Sequence, residues 1–358
     1  GSLIDIVTRG APVMLLTIGM TLVFATGGID LSVGAVIAIS GALAATIIRP
    51  DYVKGVLEYG ELRPLFMVVS IPLLVSMAAG LWNGLLVAIV GIQPIIATLI
   101  LMVAGRGIAQ LITQGQIVVF IHEPFQFIGS GFLFGLPFPI SIVIFMCAVT
   151  YLLTRKTALG MFIEAVGANP VASRFMGVKE RLIKVSVYTF SGLCSGIAGL
   201  IICADIKAAD ANHAGFLLEL DAIASVIIGG TMWGGRFTLI GSIVGTLIIQ
   251  SLTTTILTIG NCTGSHPGFQ GGRYYLRRPH SIGRFPEGVY TSFSGVKGKE
   301  FMKIRLNQKT IPILATIAVF FLIYTIGSFM YSGFFSLRVF TNLFIDNAFV
   351  GVIAVGMT

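Results

Sequence analysis

Long apolar runs, separated by short polar or glycine-rich segments, make up most of this chain. The hydrocarbon core of a bilayer is about 30 Å thick, so a run of about 20 apolar residues crosses it as a helix. The runs 33–48 and 222–233 are short for a span, so each is predicted to be broken, tilted or re-entrant. The complete set of predicted spans is 10–28, 33–48, 65–90, 95–112, 138–154, 185–204, 222–233, 237–259 and 311–331, with the start of another at 346–358.

Composition indicates the solvent around those runs. Of the 358 residues, 55% are hydrophobic and only 11% are charged, whereas soluble globular proteins carry roughly 25% charged residues. So little charge does not cover a water-facing surface, and the fold class is predicted to be all-α, a polytopic transmembrane helical bundle in a lipid bilayer. Glycines spaced four apart predict close helix–helix packing. Those pairs are Gly80/Gly84, Gly192/Gly196 and Gly241/Gly245.

The distribution of positive charge predicts which ends of the spans face the cytoplasm. The net charge is +8, and the basic residues concentrate at 154–184, 261–300 and 301–310. The positive-inside rule places such loops in the cytoplasm. In contrast, 113–137 has no Lys or Arg and 205–221 has four acids against one Lys, so both segments are expected outside.

Alternation of the spans then places the turn 26–33 inside and the segment 49–64 outside. The charged residues of the outer segment 205–221 are expected either to receive an external binding protein or to form a solvated loop. They are Asp205, Lys207, Asp210, Glu219 and Asp221.

The chain carries no sequence signal for a metal, a cofactor or a catalytic centre. Its four cysteines form no CxxC pair and its four histidines are scattered, so no metal site and no cofactor are expected. It lacks GxxxxGK[ST], so it is not expected to hydrolyse a nucleotide on its own. The spans also lack HExxH, GxSxG and paired aspartates, which argues against an intramembrane enzyme.

Four segments, in order along the chain, carry a family resemblance. They are TGGIDLSVGAVIAISG (26–41), EAVGANPVASRFMGV (164–178), SGLCSGIAGL (191–200) and ELDAIASVIIGGTMWGG (219–235). Together they resemble the permease subunit of bacterial monosaccharide ABC importers of the ribose, xylose and galactose type, with galactofuranose importers as the nearest type. The resemblance covers 1–260 and implies a multi-pass protein of the bacterial inner membrane that imports a monosaccharide and is not an enzyme. The implied partners are a cytoplasmic ABC ATPase subunit, a periplasmic sugar-binding protein and a second permease copy or sister permease; no nucleic-acid partner is expected.

The C-terminal part of the sequence predicts a change of domain. GAPVMLLTIGMT (10–21) and NAFVGVIAVGMT (347–358) repeat one apolar element, with chance similarity of two apolar helices as the alternative. We interpret 1–260 as the transmembrane permease domain lacking its first and last helices. The segment 302–358 is then the N-terminal fragment of a sister permease, with one full span and the start of the next. The Gly- and Arg-rich segment 261–301 is expected to be disordered, and a frameshift product is favoured over a solvated linker or a nucleic-acid-binding arm.

A short segment in the basic loop is expected to receive mechanical work from the ATPase partner. Asn169 is a good helix cap and Pro170 a good first residue, so they predict a helix at 170–176 that ends before Gly177. Its apolar residues are unusual for a solvated loop, which is the alternative, and the resemblance implies that it docks in a groove of the ATPase. The residues assigned to this coupling segment are Glu164, Gly167, Asn169, Pro170, Val171, Ala172, Phe175 and Gly177.

Polar residues within the spans are the candidates for the substrate path, because polar groups at membrane depth are costly and often functional. Asp30 and Ser32 either cap a helix that begins near Leu31 or contribute to the sugar path, and Asp30 has a proton relay as a third interpretation. The other candidates either contact the sugar or hold helices together, and Arg106 has the further option of extending outward to the interface. The residues assigned to the path are Asp30, Ser32, Asn83, Thr98 and Arg106.

The residues leave two rival interpretations open. One is an ion-coupled secondary transporter in which Asp30 and Arg106 are the coupling charges. The other is a non-functional product of a frameshifted gene pair. Uptake that survives collapse of the proton gradient but stops on ATP depletion excludes the first, and an intact reading frame across codons 255–305 excludes the second.

Overall fold

The computed structural model describes residues 2–49, 64–133 and 135–262. The chain divides into two units, Gly1–Gln270 and Gly271–Thr358, and every described residue lies in the first. Both C-terminal spans, the predicted sister-permease fragment and nearly all of the segment 261–301 therefore lie outside the described residues, as does almost the whole segment 49–64.

Helices build the described part of the chain, which confirms the predicted all-α class. They are α1 (Ser2–Ala25), α2 (Val33–Ile48), α3 (Leu65–Leu85), α4 (Pro94–Thr113), α5 (Glu123–Ser130), α6 (Phe138–Arg155), α7 (Leu159–Ala168), α8 (Pro170–Phe175), α9 (Glu180–Ile206), α10 (Leu218–Ile228) and α11 (Leu239–Cys262). Leu86–Val90 continues α3 as one π-helical turn. Four two-residue strands form two antiparallel pairs, β1 with β4 and β2 with β3. They are β1 (Val118–Val119), β2 (Phe132–Leu133), β3 (Leu136–Pro137) and β4 (Ala208–Ala209).

Five of these helices are long and apolar enough to cross a membrane: α1, α3 with its π-turn, α4, α6 and α9. The runs 33–48 and 222–233, predicted to be too short for a straight span, form short helices. At 1.5 Å per residue, α2 with 16 residues measures about 24 Å and α10 with 11 residues about 16 Å, both below the hydrocarbon thickness. The predicted run 222–233 is shifted, because α10 begins four residues earlier and ends before Gly229 and Gly230, the latter with a φ of +77°.

The helices α1 and α9 form the centre of the bundle. In these two helices, 78% and 72% of the residues in the apolar stretch are buried, against 22% in α3, 22% in α4 and 28% in α6. The peripheral helices therefore turn large apolar side chains outward, such as Phe66, Leu74 and Phe145. An apolar outer surface around a well-packed centre is what a lipid solvent requires, because lipid tails do not repel such side chains.

Small residues bring α3 and α9 into direct backbone contact, as their spacing predicts. A Cβ atom at Gly80 would overlap the Tyr188 carbonyl oxygen beside Gly192, and one at Gly84 would lie 2.8 Å from the Val185 Cα atom. Both contacts are closer than side chains tolerate, so only glycine fits at these crossings. The pair Gly241/Gly245 packs α11 against α10 in the same way.

Loop contacts define the two ends of the bundle. At the end that we call the inner end, the Gly234 N–H donates to the Phe24 carbonyl at 3.0 Å, and Arg155 donates to the Phe237 carbonyl at 3.1 Å. These contacts gather the turn after α1 and the loop 229–238 beside the basic loop 154–184. At the opposite, outer end, the pairing of β1 with β4 joins 113–137 to 205–221, the two segments that are expected outside.

Candidate functional site

The turn between α1 and α2 carries the buried acid. Thr26 ends α1 by donating its hydroxyl to the Val23 carbonyl at 2.7 Å, and Gly27 follows with a φ of +77°, a conformation that favours glycine. The next helix begins at Val33, two residues later than predicted, and the Ser32 side chain makes no capping hydrogen bond. The expectation that Ser32 caps this helix is therefore wrong, because its hydroxyl is directed at Asp30 instead.

Asp30 is buried, with 1% of its surface exposed. Its Oδ1 accepts hydrogen bonds from the Ser32 N–H at 3.1 Å and the Ser32 hydroxyl at 2.6 Å. Its Oδ2 accepts from the Ser191 hydroxyl on α9 at 2.8 Å. Because both carboxyl oxygens have protein donors, the cost of burying this group is partly offset, and the turn is tied to the central helix.

Two further path candidates surround the same turn. Asn83 on α3 is fully buried and donates its side-chain amide to the Ser32 hydroxyl at 2.8 Å. The Thr98 hydroxyl on α4 donates to the Pro94 carbonyl at 3.0 Å and lies 3.4 Å from the Ile29 carbonyl. The structure thus brings Asp30, Ser32, Asn83 and Thr98 together around one turn. We call these four residues, with Ser191, the turn network.

Ser191 and Tyr188 on α9 belong to this region, although the sequence did not single them out. The Tyr188 hydroxyl donates to the Ile29 carbonyl at 3.4 Å, and there is no room for a Cβ atom at Gly28 beside it. Ser191 lies inside the motif SGLCSGIAGL, so a search for polar residues within that motif would have found it.

Arg106 is separate from the turn network. It lies eight residues after Thr98, about 12 Å further along α4 towards the outer end. Its Nη1 donates to the Ala211 carbonyl at 3.2 Å and also to the Ala214 carbonyl. Gln110, one turn further, donates to the Asn212 side chain at 2.6 Å. Rather than extending to the interface, Arg106 holds the segment 207–217 against α4.

The segment 207–217 runs from the outer end into the bundle. It leads to Glu219, which is 2% exposed and lies against Gly34 in the first turn of α2. The expectation that Glu219 joins the charged outer surface is therefore wrong, because the chain turns inward after β4 and buries this carboxyl group against α2. Asp205 and Lys207 remain exposed. No group of three or more potential metal ligands comes together in the part of the chain that the structure describes.

A cavity of about 350 Å³ lies beneath this segment, between α2 and α9. Gly41 and Cys203 line its apolar part, and Asp210 and His213 supply polar groups. The Asp210 Oδ2 lies 2.8 Å from the His213 Nδ1. Partial burial raises the pKa of Asp210, but hydrogen bonds from His213 and from the Asn212 N–H outweigh it, so this pKa lies below its ordinary value.

The short helix α8 forms at the inner end as predicted. The Asn169 Oδ1 accepts a hydrogen bond from the Ala172 N–H at 2.9 Å, and Pro170 is the first helical residue. The helix ends at Phe175, one residue earlier than predicted, and Gly177 has a φ of +83°. Local capping chemistry alone therefore explains where this helix begins and ends.

The helix α8 is fixed to its neighbours on one side only. The Ser173 hydroxyl donates to the Ala165 carbonyl at 2.7 Å, and Arg174 forms an ion pair with Glu180 at 2.7 Å. The other side is open: Phe175 is 88% exposed, and Met176, which the sequence did not single out, is 84% exposed. Val171 and Ala172 are exposed beside them. The result is a helix that is held on one side and exposes an apolar face on the other.

The helix α7 connects α8 to the turn network. Its Glu164 lies 3.8 Å from Arg155, a long ion pair at the end of α6. Its Gly167 packs on the Ala25 carbonyl so closely that a Cβ atom there would overlap it, and Gly234 lies on the same spot. Through Gly167, α7 is therefore in direct backbone contact with the residues that lead into the turn.

Known proteins share the sequence that builds this arrangement. The galactofuranose transporter permease protein YtfT of Escherichia coli (strain K12) is 56% identical over 261 residues, which are 73% of this chain and 73% of that protein. The fructose import permease protein FruF of Bifidobacterium longum is 41% identical over 274 residues, 75% of this chain and 74% of that protein. The ribose import permease protein RbsC of Haemophilus influenzae is 34% identical over 260 residues, 71% of this chain and 77% of that protein. No solved structure matches the chain significantly.

A family model covers all of the described part of the chain. The model of the branched-chain amino acid transport system / permease component matches residues 2–271. Five helices in that range are long and apolar enough to cross a membrane. The chain is therefore a multi-pass membrane protein and belongs to the family of the branched-chain amino acid transport system / permease component.

Proposed function

We propose that this chain is the transmembrane permease subunit of an ATP-driven ABC importer that moves a monosaccharide across the bacterial inner membrane. The names of its relatives, which specify galactofuranose, fructose and ribose, support this class of substrate. The sequence has no P-loop motif, so a separate cytoplasmic ABC ATPase supplies the energy and the permease is not itself an enzyme. A periplasmic sugar-binding protein delivers the sugar, and a second permease copy or a sister permease completes the pore.

The exposed apolar face of α8 is the observation that carries this proposal. An aromatic side chain in water gains roughly 1.5–3 kcal/mol when a partner buries it, and Phe175 is 88% exposed. The contacts through Ser173 and Arg174 hold the helix that presents it. Such a helix transmits a push from a cytoplasmic partner without bending, which is what coupling to an ATPase requires.

Contacts within the chain supply a route from α8 to the membrane interior. Ser173 joins α8 to α7, Gly167 on α7 packs against Ala25, and the turn network follows within five residues. We assign Asp30, Ser32, Asn83 and Thr98 to positioning this turn, because most of their polar atoms bond to the protein. Arg106 acts at the other end, where it holds the segment 207–217.

The domain boundaries remain hypotheses of the same proposal. The permease domain covers 1–260, the segment 302–358 is the beginning of a sister permease, and 261–301 arises from a frameshift. Sequencing the DNA across codons 255–305 tests the last two points. An uninterrupted reading frame, together with expression of the full chain, would refute the frameshift.

Transport by reconstituted protein tests the function. The chain, its ATPase and its binding protein are placed in proteoliposomes, and uptake of radiolabelled galactofuranose, fructose and ribose is measured. We expect uptake of at least one sugar that requires ATP and persists when an ionophore collapses the proton gradient. Uptake driven by the proton gradient without ATP would refute the proposal and favour the secondary transporter.

A matched pair of variants tests the role of α8. Phe175→Ser removes the most exposed side chain of the apolar face, whereas Met161→Ser alters a residue of α7 that is also largely exposed, at 64%, nine positions before α8 begins. We expect Phe175→Ser to abolish most ATP-dependent uptake and co-purification of the ATPase, and Met161→Ser to leave both near the parent level. Equal effects of the two variants would refute a specific role for α8.

A further inference from the structure

A groove at the inner end of the bundle borders α8, with Arg174 and Gly177 in its lining, and the proposed import cycle assigns it no ligand. It has a volume of about 610 Å³ and lies between the end of α3, with its π-turn, and the start of α9. Its walls are aliphatic, with Leu85 and Ile89 on one side and Leu182 and Val185 on the other. Ile89 and Leu182 are 58% and 60% exposed. Because α3 buries so few of its residues, this wall continues the apolar outer surface that faces lipid.

The rim of the same groove is basic. Arg174, Lys179 and Arg181 line it together with a single acid, Glu180. That acid is already paired, because its Oε1 lies 2.7 Å from an Arg174 nitrogen. Among the described residues, the exposed side chains of Lys179 and Arg181 take part in no ion pair or hydrogen bond. Two cations thus remain available where the apolar wall ends.

We propose that this groove binds one anionic phospholipid of the inner leaflet. The phosphate lies between Lys179 and Arg181, and an acyl chain follows the wall formed by Leu85, Ile89 and Leu182. Aliphatic walls below a cationic rim match the two halves of such a lipid, and basic pockets between membrane helices on the cytoplasmic side favour anionic headgroups. The inference rests on the inward orientation of the basic loop in the proposed function, but not on the sugar or the ATPase.

A natural fluorophore lies beside the groove. Trp82 on α3 is 56% exposed and precedes Leu85 by three residues, so these two side chains lie on one helix face, and Ile89 follows in the π-turn. The sequence contains one other tryptophan, Trp233, which packs against Phe24 with ring centroids 4.8 Å apart. In a Trp233→Phe background, which keeps an aromatic ring at that position, fluorescence reports on Trp82 alone.

Quenching of Trp82 fluorescence by brominated lipids measures the preference of the groove for an anionic over a zwitterionic phospholipid. The full chain is reconstituted in phosphatidylcholine bilayers in which either brominated phosphatidylglycerol or brominated phosphatidylcholine replaces part of the lipid. Each Lys or Arg near an anionic surface favours binding by about five-fold, so we expect phosphatidylglycerol to be preferred by about five-fold or more. The double variant Lys179→Gln/Arg181→Gln is expected to reduce this preference to about one, with an unchanged thermal unfolding midpoint.

The matched control is Lys156→Gln, which removes one positive charge from the same loop outside the groove. It is expected to retain the lipid preference. Equal quenching by the two lipids in the parent protein, or an equal loss of preference in the control, would overturn the proposal. Loss of the preference on addition of millimolar inorganic phosphate would indicate a site for the free ion and also overturn it.

Two further outcomes separate this inference from the proposed function. If the double variant loses ATPase binding but keeps the lipid preference, the basic rim contacts protein and the lipid assignment is wrong. The second outcome is that the parent protein prefers phosphatidylglycerol and the double variant loses that preference, while no ATP-dependent sugar uptake is observed. In that case the lipid site stands and the proposed function fails.

Discussion

Asn83 on α3 donates a hydrogen bond of 2.8 Å to the hydroxyl of Ser32, and that same hydroxyl donates to Asp30 at 2.6 Å. One hydroxyl group thereby links a peripheral helix to a buried carboxylate, and Ser191 links the carboxylate to the central helix α9. Chains of buried hydrogen bonds fix one arrangement, because each unpaired member would cost free energy. The turn between α1 and α2 is therefore held from two sides.

Replacement of Asp30 separates a structural role from a proton relay. Asp30→Ala leaves the hydroxyl donors of Ser32 and Ser191 without their acceptor, so we expect a loss of about 1–3 kcal/mol in the free energy of unfolding. Asp30→Asn retains one acceptor oxygen, and the Ser191 hydroxyl is free to rotate and accept from the amide. It is expected to unfold close to the parent protein and to retain much of the ATP-dependent uptake.

The measurements are thermal unfolding in detergent and sugar uptake in proteoliposomes. A well-folded Asp30→Asn variant with no uptake at all would contradict the positioning role. It would instead favour a function that requires the carboxyl group to gain and lose a proton.

Gly192 at the crossing of α3 and α9 is expected to tolerate no side chain. A Cβ atom there would overlap the Ser76 carbonyl and lie 3.0 Å from Gly80, so Gly192→Ala forces the helices apart at a cost of about 1–3 kcal/mol. The control is Gly107→Ala in α4, where a Cβ atom would meet nothing within 4 Å. It is expected to be neutral or stabilising by about 0.5–1 kcal/mol. If the two variants have the same thermal unfolding midpoint, this account of the helix crossing is disproved.

Local patterns predicted much of the fold. Apolar run length located the described spans, and the four-residue spacing of Gly80/Gly84 and Gly192/Gly196 predicted close packing of the helices that carry them, because both signals depend on residues close in sequence. The spacing did not show that these two helices pack on each other. The cap at Asn169 and the stop at Gly177 were predictable for the same reason, since capping involves the backbone within three residues.

Long-range partners were not predictable in this way. The sequence does not show that Ser191 donates to Asp30, because the two are 161 positions apart and the register of α9 against α1 decides the contact. The charge pattern placed Glu219 at the outer surface, but β4 and Arg106 direct the chain into the bundle. Charge counted along a segment predicts the side of the membrane, not the depth of each residue.

Removal of Arg106 is expected to loosen the segment 207–217. Arg106→Met deletes the hydrogen bonds to the carbonyls of Ala211 and Ala214, and hydrogen bonds to charged groups are worth about 1.5–3 kcal/mol. The cavity beneath the segment contains Cys203, which is only 2% exposed. We therefore expect a small thiol reagent to modify Cys203 about ten-fold faster or more in the variant.

The experiment uses a background in which Cys147 and Cys262 are replaced by serine, leaving Cys203 and the buried Cys194. Mass spectrometry of the peptides measures the rate at each cysteine. Arg236→Met, which removes an exposed arginine at the inner end, is the control and is expected to leave the rate unchanged. If Cys203 is modified at the same rate in Arg106→Met as in the control, other contacts hold the segment 207–217.

Asn169 is expected to control coupling through the order of α8. Asn169→Ala removes the acceptor of the Ala172 N–H, so the helix loses about 1 kcal/mol and the Ala172 amide exchanges about five-fold faster in hydrogen–deuterium exchange. ATP-dependent uptake falls with it, because a frayed α8 presents Phe175 less firmly to the ATPase. Asn169→Asp keeps a capping oxygen and is expected to restore slow exchange and uptake together. Faster exchange in Asn169→Ala with uptake unchanged would show that transport does not depend on the order of this helix.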